Sequence, residues 1–306
     1  MKLAIIDVDT SHPQCWIPIE RDLGHEVVCI YDGGSVHPAA YVEKFAADFK
    51  APRVCKTLAE TVDLADGAII HGCDWDTHIA KSEPFVKAGK AVLLDKPVAG
   101  NLRELRKIRD WAASGVRVTG GSTLRFCHEV ADYLAKPVAQ RGTPHTVFCG
   151  CAVDEFNYGI HAYAMLLAIM GTGVKSVRHL TKGVQRRIQV NWPDGRMGFL
   201  VIDKSDNWMP FYATIVTEKT IQHIIGGSDG LVLYRDGLTA MLPFLAGESP
   251  APLTPDAFIE PELCALAARQ SWMNNDREVA LTDLDPDDKG YDGKTFAEGY
   301  RKAKYP

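Results

Sequence analysis

Short apolar runs alternate with amphipathic helical stretches along the first 120 residues. The apolar runs predict five strands, at 3–6, 27–31, 68–70, 91–94 and 116–118. A short additional strand is predicted at 53–56. Helical patterns lie between them, at 39–49, 58–64, 79–88 and 102–113. Strands that alternate with helices pair in parallel through right-handed crossovers. The pattern therefore predicts an α/β domain with a doubly wound parallel sheet of the Rossmann type.

The pattern changes after Gly120-Gly121, and we place a domain boundary there, with domains at 1–121 and 122–306. Helices are expected first, at 131–139 and 162–170. From Val174 to Leu245 the chain is rich in β-forming stretches, at 187–190, 198–202, 212–216 and 231–234. A helix at 260–273 follows, and the end of the chain from Asp283 is polar. This order predicts an α+β domain with a large, open, mostly antiparallel sheet.

Composition limits the possible functions. A chain of 306 residues suits two domains, and 46% apolar with 24% charged residues is typical of a globular protein. The net charge of -5 argues against a nucleic-acid partner, and no apolar run is long enough to span a bilayer. The first residues read as a buried strand, and none of the eight cysteines forms a CxxC pair. We therefore expect a cytoplasmic protein with reduced thiols and no membrane partner.

The loop after the first strand decides how a dinucleotide could bind. Rossmann domains usually carry GxGxxG there, because glycine lets the backbone approach the pyrophosphate at a helix N-terminus. Here the loop reads Asp7-Val8-Asp9-Thr10-Ser11-His12, and other residues fill all three glycine positions. The Asp9 carboxylate would repel a pyrophosphate. We expect either that it turns away to cap the N–H groups of Ser11 and His12, or that the phosphates lie elsewhere. Pro18 also indicates a reshaped turn.

The second strand ends in an acidic residue. Asp32 is followed by Gly33-Gly34 and lies about 20 residues beyond the first turn, where an acid binds the adenosine ribose in dinucleotide-binding domains. Because no arginine is adjacent, this residue favours NAD over NADP. The alternative is a loop aspartate that begins a turn.

Three motifs further along the chain connect it to a known family. They are Thr77-His78 followed by Lys87-Ala88-Gly89-Lys90-Ala91-Val92-Leu93-Leu94-Asp95-Lys96-Pro97-Val98-Ala99, then Gly121-Ser122-Thr123-Leu124-Arg125-Phe126, then Asn157-Tyr158-Gly159-Ile160-His161. Their order and spacing resemble those of the Gfo/Idh/MocA oxidoreductases over most of the chain. The chain departs from that family in the missing glycine loop, in Asn157 where an aspartate is common, and in Ala164 where a polar residue is common.

The resemblance implies an NAD(P)-dependent oxidoreductase that acts on a sugar, a polyol or a related hydroxy compound. His161 would take the hydroxyl proton and Lys96 would polarise the developing alkoxide, since both residue types suit proton transfer. The alternatives are a core histidine and a solvent-exposed lysine. The residues expected to bind the cofactor are Asp9, Thr10, Ser11, His12, Asp32, Cys73, His78, Lys96 and Pro97. The residues expected around the substrate are Arg125, Asn157, Tyr158 and Tyr163.

A second constellation is visible without the family. Two loops that should flank the point where the strand order reverses carry possible metal ligands, namely Asp7, Asp9 and His12 in one and His71, Cys73, Asp74, Asp76 and His78 in the other. Such residues also serve as caps and turn formers, and we favour that explanation and expect no metal. Elimination, metal-assisted hydrolysis and non-catalytic binding of a nucleotide or sugar stay open as alternatives to hydride transfer.

The expected partners are a small-molecule substrate and further copies of the same chain. One face of the second sheet should be covered by helices, and the other, with Trp208, Phe211 and Tyr212 nearby, would need a partner if it is apolar. The resemblance to the Gfo/Idh/MocA family also implies association through that sheet. We therefore expect a homo-dimer or a homo-tetramer.

Overall fold

The computed structural model describes residues 1–305, and the N-terminal part of the chain builds a parallel sheet. Its five strands have the order β2-β1-β3-β4-β5 and are β1 (Lys2–Ile6), β2 (Glu26–Tyr31), β3 (Gly67–Ile70), β4 (Ala91–Leu94) and β5 (Val118–Gly120). All of their pairings are parallel. The strand order reverses beside β1, so the loops after β1 and β3 lie together at that point. The predicted doubly wound sheet is confirmed.

Five helices connect these strands: α1 (His12–Asp22), α2 (Ala39–Asp48), α3 (Leu58–Leu64), α4 (His78–Lys87) and α5 (Leu102–Ala113). Two strand predictions need correction. The fifth strand begins at Val118 rather than Val116, and the stretch at 53–56 forms only a single bridge, between Ile30 and Val54. Pro18, from which a reshaped turn was expected, lies inside α1.

The second sheet has seven strands in the order β11-β10-β6-β9-β8-β7-β12. They are β6 (Pro144–Gly150), β7 (Ser176–Lys182), β8 (Arg186–Asn191), β9 (Met197–Ile202), β10 (Phe211–Thr217), β11 (Ile221–Gly226) and β12 (Val279–Ala280). Apart from the parallel pair β6–β9, the pairings are antiparallel. This agrees with the predicted large, mostly antiparallel sheet.

Six helices lie in the rest of the chain: α6 (His128–Ala135), α7 (Val138–Arg141), α8 (Gly159–Met170), α9 (Gly230–Ala246), α10 (Pro255–Met273) and α11 (Gly293–Lys304). Helices α8 and α10 cover one face of the sheet. Helix α8 is apolar on all sides, and all but one of its twelve residues are buried. A helix with this composition is stable only inside a core.

The prediction of a strand at 231–234 is wrong, because these residues lie in α9. The Asp229 side chain caps this helix by accepting hydrogen bonds from the backbone N–H groups of Leu231 and Val232. Buried residues then recur at helical spacing, with Leu238, Met241, Leu242 and Leu245 on one face. These four side chains pack in one cluster with residues of β1 and α1. A partner surface on the first sheet therefore favours the helix over the strand.

Helix α11 lies in the polar end of the chain and was not predicted. Its side chains are mostly polar, with Ala297 buried and Phe296 and Tyr300 half-buried. Helices α9 and α11 both return to the first sheet, and the boundary at 121/122 stays a prediction. Between residues 1 and 305 no helix is long and apolar enough to cross a membrane. All eight cysteines are free thiols.

Candidate active site

A small cavity lies at the carboxyl ends of β1, β3 and β4, where the second part of the chain meets the first sheet. Its volume is about 100 Å³. It is lined by Thr10, Ser11, His12, His71, Gly72, Cys73, Asp95, Lys96, Asn157, Tyr158, Phe296 and Tyr300. Ligands of doubly wound sheets bind at this edge, beside the reversal of strand order. Five of the predicted cofactor residues and two of the predicted substrate residues lie around this one space.

Asp95 ends β4 and joins two imidazoles. Its Oδ2 atom lies 2.7 Å from His12 Nδ1 and 2.8 Å from His71 Nδ1, and its Oδ1 atom accepts a hydrogen bond from the Lys96 backbone N–H at 2.7 Å. Burial by itself raises the pKa of Asp95, but His12 and His71 outweigh burial and hold the pKa well below its ordinary value. An ionised carboxylate only accepts hydrogen bonds, so both imidazoles present Nδ1–H to it.

The ring of His12 is held in place by two aromatic side chains. It stacks on Trp16, with ring centroids 5.3 Å apart, and Tyr234 of α9 meets it edge-on at 5.1 Å. His12 occupies the third glycine position of the loop, and its side chain fills space that a dinucleotide loop normally leaves open. The sequence motif identified this residue as a cofactor contact, and its pairing with Asp95 was not predicted.

Lys96 reaches across the cavity to the second part of the chain. Its Nζ atom donates hydrogen bonds to the Asn157 main-chain oxygen at 3.0 Å and to Asn157 Oδ1 at 3.1 Å, and it lies 5.3 Å from the centroid of the Tyr158 ring. Burial lowers the pKa of Lys96, although Asp95 and Asp154 oppose the shift. Lys96 is thus a hydrogen-bond donor at the cavity wall, with a charge that burial disfavours.

His161 lies near Lys96 but does not line the cavity. Its Nδ1 atom shares a hydrogen bond of 2.6 Å with Ser122 Oγ, and Phe211 packs against the ring at 4.9 Å. Burial, followed by the positive charge of Lys96, holds the pKa of His161 well below its ordinary value. A neutral imidazole beside the predicted substrate pocket is compatible with proton transfer, and its catalytic role stays a prediction.

The loop after β1 is built around a buried ion pair. Asp7 has a φ of 66°, in the left-handed region. Its Oδ2 atom lies 2.5 Å from Lys81 Nζ, and its Oδ1 atom accepts a hydrogen bond from the Gly33 N–H at 2.8 Å. Burial lowers the pKa of Lys81, but the charge of Asp7 outweighs burial and raises it. A lysine from α4 therefore takes up the space beside the first glycine position.

Two more carboxylates lie close to Asp7. Asp9 accepts a hydrogen bond from the Cys73 N–H at 3.0 Å through Oδ2, while its Oδ1 atom is buried without a partner. Burial, then Asp7 and Asp32, raise the pKa of Asp9 to about 7. Asp32 accepts hydrogen bonds from the N–H groups of Val8 and Gly34. Asp9 does turn inward, but it caps the β3 loop and not Ser11 or His12.

The end of helix α11 covers this loop. Lys304 Nζ donates a hydrogen bond to the Asp9 main-chain oxygen at 3.2 Å, and Tyr305 Oη lies 2.6 Å from His37 Nδ1. Phe296 and Tyr300 from the same helix line the cavity. None of these residues was identified from the sequence, since a contact between the two ends of the chain leaves no local pattern.

Other predicted site residues lie outside the cavity. His78 is buried and hydrogen-bonded through its ring nitrogens to the Val98 and Gly72 carbonyl oxygens, so it ties the β3 loop to the segment after β4. Pro97 follows Lys96 in a cis peptide bond. Arg125 donates to the Ala257 carbonyl oxygen, and Tyr163 is buried in α8 with its hydroxyl unpartnered. The structure does not bring these four side chains together with the others.

The first part of the chain is similar to a known oxidoreductase family. Residues 7–120 match the sequence model of the Gfo/Idh/MocA oxidoreductases, described as an oxidoreductase family with an NAD-binding Rossmann fold. This segment includes the loop after β1, Asp32 and the Asp95-Lys96-Pro97 motif. Residues 7–120 therefore resemble the NAD-binding part of the Gfo/Idh/MocA family. The predicted family and the predicted enzyme class are thereby confirmed, and no curated protein sequence matches the chain.

Solved structures extend the likeness over nearly the whole chain. A probable dehydrogenase from Thermotoga maritima has a TM-score of 0.78 at 15% identity and covers 93% of this chain and 100% of its own. A putative myo-inositol dehydrogenase from Sinorhizobium meliloti 1021 has a TM-score of 0.78 at 13% identity, and the match covers 92% of this chain and 99% of that one. GenD2 from gentamicin A biosynthesis, solved with NAD, has a TM-score of 0.77 at 14% identity, and the match covers 92% of this chain and 96% of that one. At these identities the likeness shows the fold alone, over most of the chain.

The loop after β1, as it is folded in this structure, does not fit a pyrophosphate. A Cβ atom on Gly72 would lie 2.7 Å from Asp7 Oδ2 and 3.5 Å from Lys81 Nζ, so side chains fill the groove beside this backbone. Asp9 adds a third carboxylate to Asp7 and Asp32, and α11 closes the groove from above. The cavity is also far smaller than the about 300–1,000 Å³ typical of ligand pockets.

The two imidazoles and Asp95 also form a possible metal site. The ligand atoms of His12, His71 and Asp95 lie within 4.8 Å of one another. However, each Nδ1–Oδ2 distance has the length of a hydrogen bond, and each Nδ1 carries the proton of that bond. This arrangement holds the imidazoles in a defined tautomer, which is the condition for acid–base chemistry.

Proposed function

We propose that this protein is an oxidoreductase-family enzyme that acts on a sugar, a polyol or a related hydroxy compound bound in the interdomain cavity. The observation that carries the proposal is the position of Lys96. Lys96 lies just after the end of β4 and lines the cavity, and its ammonium group contacts Asn157 and Tyr158 from the other part of the chain. A substrate hydroxyl placed there would accept a hydrogen bond from Lys96, which favours the alkoxide form of that oxygen.

The proton of this hydroxyl needs an acceptor. His161 is the proposed acceptor, because it is a neutral imidazole next to Tyr158, with ring centroids 5.9 Å apart. Asn157 and Tyr158 are proposed to orient the substrate. Proton removal by an imidazole contributes roughly two to four powers of ten to a rate when the geometry is favourable.

For the cofactor we propose NAD in preference to NADP. The support is the NAD-binding family and Asp32, whose charge would repel a 2′-phosphate. Because the first loop does not accept a pyrophosphate as folded, a dinucleotide would require that α11 move away, and we derive no step through it. The eight free thiols suit a reducing compartment, and cytoplasmic location remains a prediction.

The acidic loop favours a second candidate on the same substrate class. Acid–base chemistry without a dinucleotide, such as elimination of water from a hydroxy carbonyl compound, needs a base, an acid and a donor to the carbonyl oxygen. His12, His161 and Lys96 could supply these three groups. The closed groove between Asp7, Lys81 and Lys304 supports this candidate.

A substrate panel tests the proposal. Inositols, aldohexoses and their keto derivatives are incubated with the enzyme, with NAD, with NADP and without a dinucleotide, and products are followed by NMR. We expect turnover of at least one compound, reduced by two to four powers of ten in Lys96→Ala and in His161→Ala. The double variant should lose less than the sum of both losses.

The stability of each variant is the control, since a residue that only packs would change unfolding and not turnover. Turnover that requires NAD supports the oxidoreductase, and turnover without a dinucleotide supports the second candidate. The proposal would be overturned if neither variant changed the activity of a stably folded protein.

A further inference from the structure

His12 is the one cavity-lining imidazole that combines a buried carboxylate partner with an accessible nitrogen. Its Nδ1–H donates to Asp95 Oδ2 at 2.7 Å. Its Nε2 atom has no hydrogen-bond partner among residues 1–305 and is not sealed from solvent, whereas His71 Nε2 is buried without a partner. In neutral His12 the proton is on Nδ1, so the lone pair of Nε2 is free at the cavity.

We propose that His12, oriented by Asp95, is a general acid–base residue of this active site. The inference rests on the proposed function in one respect, namely that the cavity is where the substrate binds. Nε2 takes a proton from a substrate hydroxyl: the O–H bond breaks, its electron pair stays on oxygen, and an N–H bond forms. The resulting imidazolium is stabilised by the Asp95 carboxylate, as in the carboxylate–imidazole pairs of hydrolases.

The surroundings support this role in two further ways. Trp16 and Tyr234 fix the plane of the His12 ring, so the direction of the Nε2 lone pair is set before a substrate arrives. His71 donates a second hydrogen bond to Asp95 Oδ2, and Lys96 N–H binds Oδ1. These donors keep Asp95 ionised. His71 is a positioning residue, since its own Nε2 is sealed from solvent.

The proposal also gives a reason for the altered loop. The third glycine position of a dinucleotide-binding turn lies at the start of α1, next to the end of β4. A glycine there leaves room for phosphate, whereas His12 brings an imidazole to Lys96 and Asn157 across the cavity. The position that binds phosphate in other Rossmann domains would thus serve proton transfer in this chain.

Imidazole ¹⁵N NMR of the full chain tests the pairing without any substrate. We expect His12 to be protonated on Nδ1 and unprotonated on Nε2 when neutral, and the tautomer to change in Asp95→Asn, because the asparagine amide can donate to Nδ1. Nε2–H in the wild-type protein would overturn the proposal. So would saturable Zn²⁺ binding at micromolar zinc chloride that is lost in His71→Asn, since it would show a metal site.

Kinetics with the compound turned over in the substrate panel supply the second test. His12→Gln and Asp95→Asn should each lower kcat by roughly two to four powers of ten, with KM changed much less. His128→Gln, an exposed histidine that also contacts an aspartate, is the matched control. Unchanged kcat in folded His12→Gln overturns the proposal. If the wild type turns over nothing in the panel, the proposed function fails, while the tautomer still decides the His12–Asp95 pairing.

Discussion

Lys81 Nζ lies 2.5 Å from Asp7 Oδ2, and both side chains are almost completely buried. The ion pair fills the groove at the reversal of strand order, where a Rossmann domain usually has bare glycine backbone. Its position explains why Gly33 and Gly72 are both close to these two side chains. A local charge pair has therefore replaced the open surface that a phosphate would need.

We predict that breaking this pair destabilises the protein strongly. Asp7→Asn keeps a residue that tolerates a left-handed backbone and leaves Lys81 without its carboxylate, which should cost about 3–5 kcal/mol. Lys81→Met should cost a similar amount, and the double variant should cost less than the sum. Urea unfolding measures all three. The exposed pair Lys44–Asp48 is the control, where Lys44→Met should change stability by less than about 1 kcal/mol. The prediction would be contradicted if the Asp7 and Lys81 variants each lost less than about 1 kcal/mol and the two losses simply added in the double variant.

Glu20 should make the stability depend on pH. It is fully buried on α1, neither carboxylate oxygen has a partner, and burial raises its pKa to about 8 from an ordinary value of 4.5. Between these values the folded state holds a proton that the unfolded state has lost, so stability falls as pH rises from about 4.5 to about 8.

Glu20→Gln removes this effect. As the pH rises from 5 to 8.5, the free energy of unfolding of the variant should increase relative to that of the wild type by roughly 2–4 kcal/mol. Urea unfolding at both pH values measures this difference. Glu26→Gln, at an exposed site on the next strand, should show no such gain. An equal difference from wild type at both pH values would contradict the assignment.

The end of α11 should limit dinucleotide binding. Tyr305→Phe removes the hydrogen bond to His37, which is worth about 0.5–1.5 kcal/mol, and so makes the covered state of the loop less favourable. Because apparent affinity scales with the open fraction, NAD should bind roughly 2–10-fold more tightly by isothermal titration. Lys302→Ala on the exposed side of the same helix is the control. Affinity that is equal in all three proteins would show that α11 does not control access.

The outer face of the second sheet should join copies of the chain. Phe148 is 42% exposed there and stacks on Phe199 of the neighbouring strand, and Ile221 and Ile225 lie further along the same face. We predict that Phe148→Glu shifts light scattering from a dimer or tetramer towards monomer. Leu134→Glu, at an exposed apolar site on α6, should leave the assembly unchanged. A wild-type monomer at micromolar concentration would contradict the prediction. Phe211, which we had placed near this face, instead packs against His161.

Much of the first sheet could be predicted because its signals are local. Each strand is a short apolar run, so β1 to β4 were located to within one residue. Helices α2 to α5 show their own periodicity and were predicted, whereas α1 was not. The Asp95-Lys96-Pro97 motif likewise identified the end of β4 as part of the site. The loop sequence also showed, without a structure, that the glycine turn was missing.

Local signals along the chain were enough to predict the fold class, the family and the position of Lys96, since strand-end motifs and periodicity are properties of neighbouring residues. Which side chains come into contact depends instead on how the elements pack in three dimensions. Whether 231–234 is a strand or part of α9 depended on the surface of α1. The pairing of His12 with Asp95, and the closure of the loop by Lys304 and Tyr305, join residues 83 and more positions apart. Such contacts are fixed by packing across the fold, and packing leaves no periodic pattern in the chain.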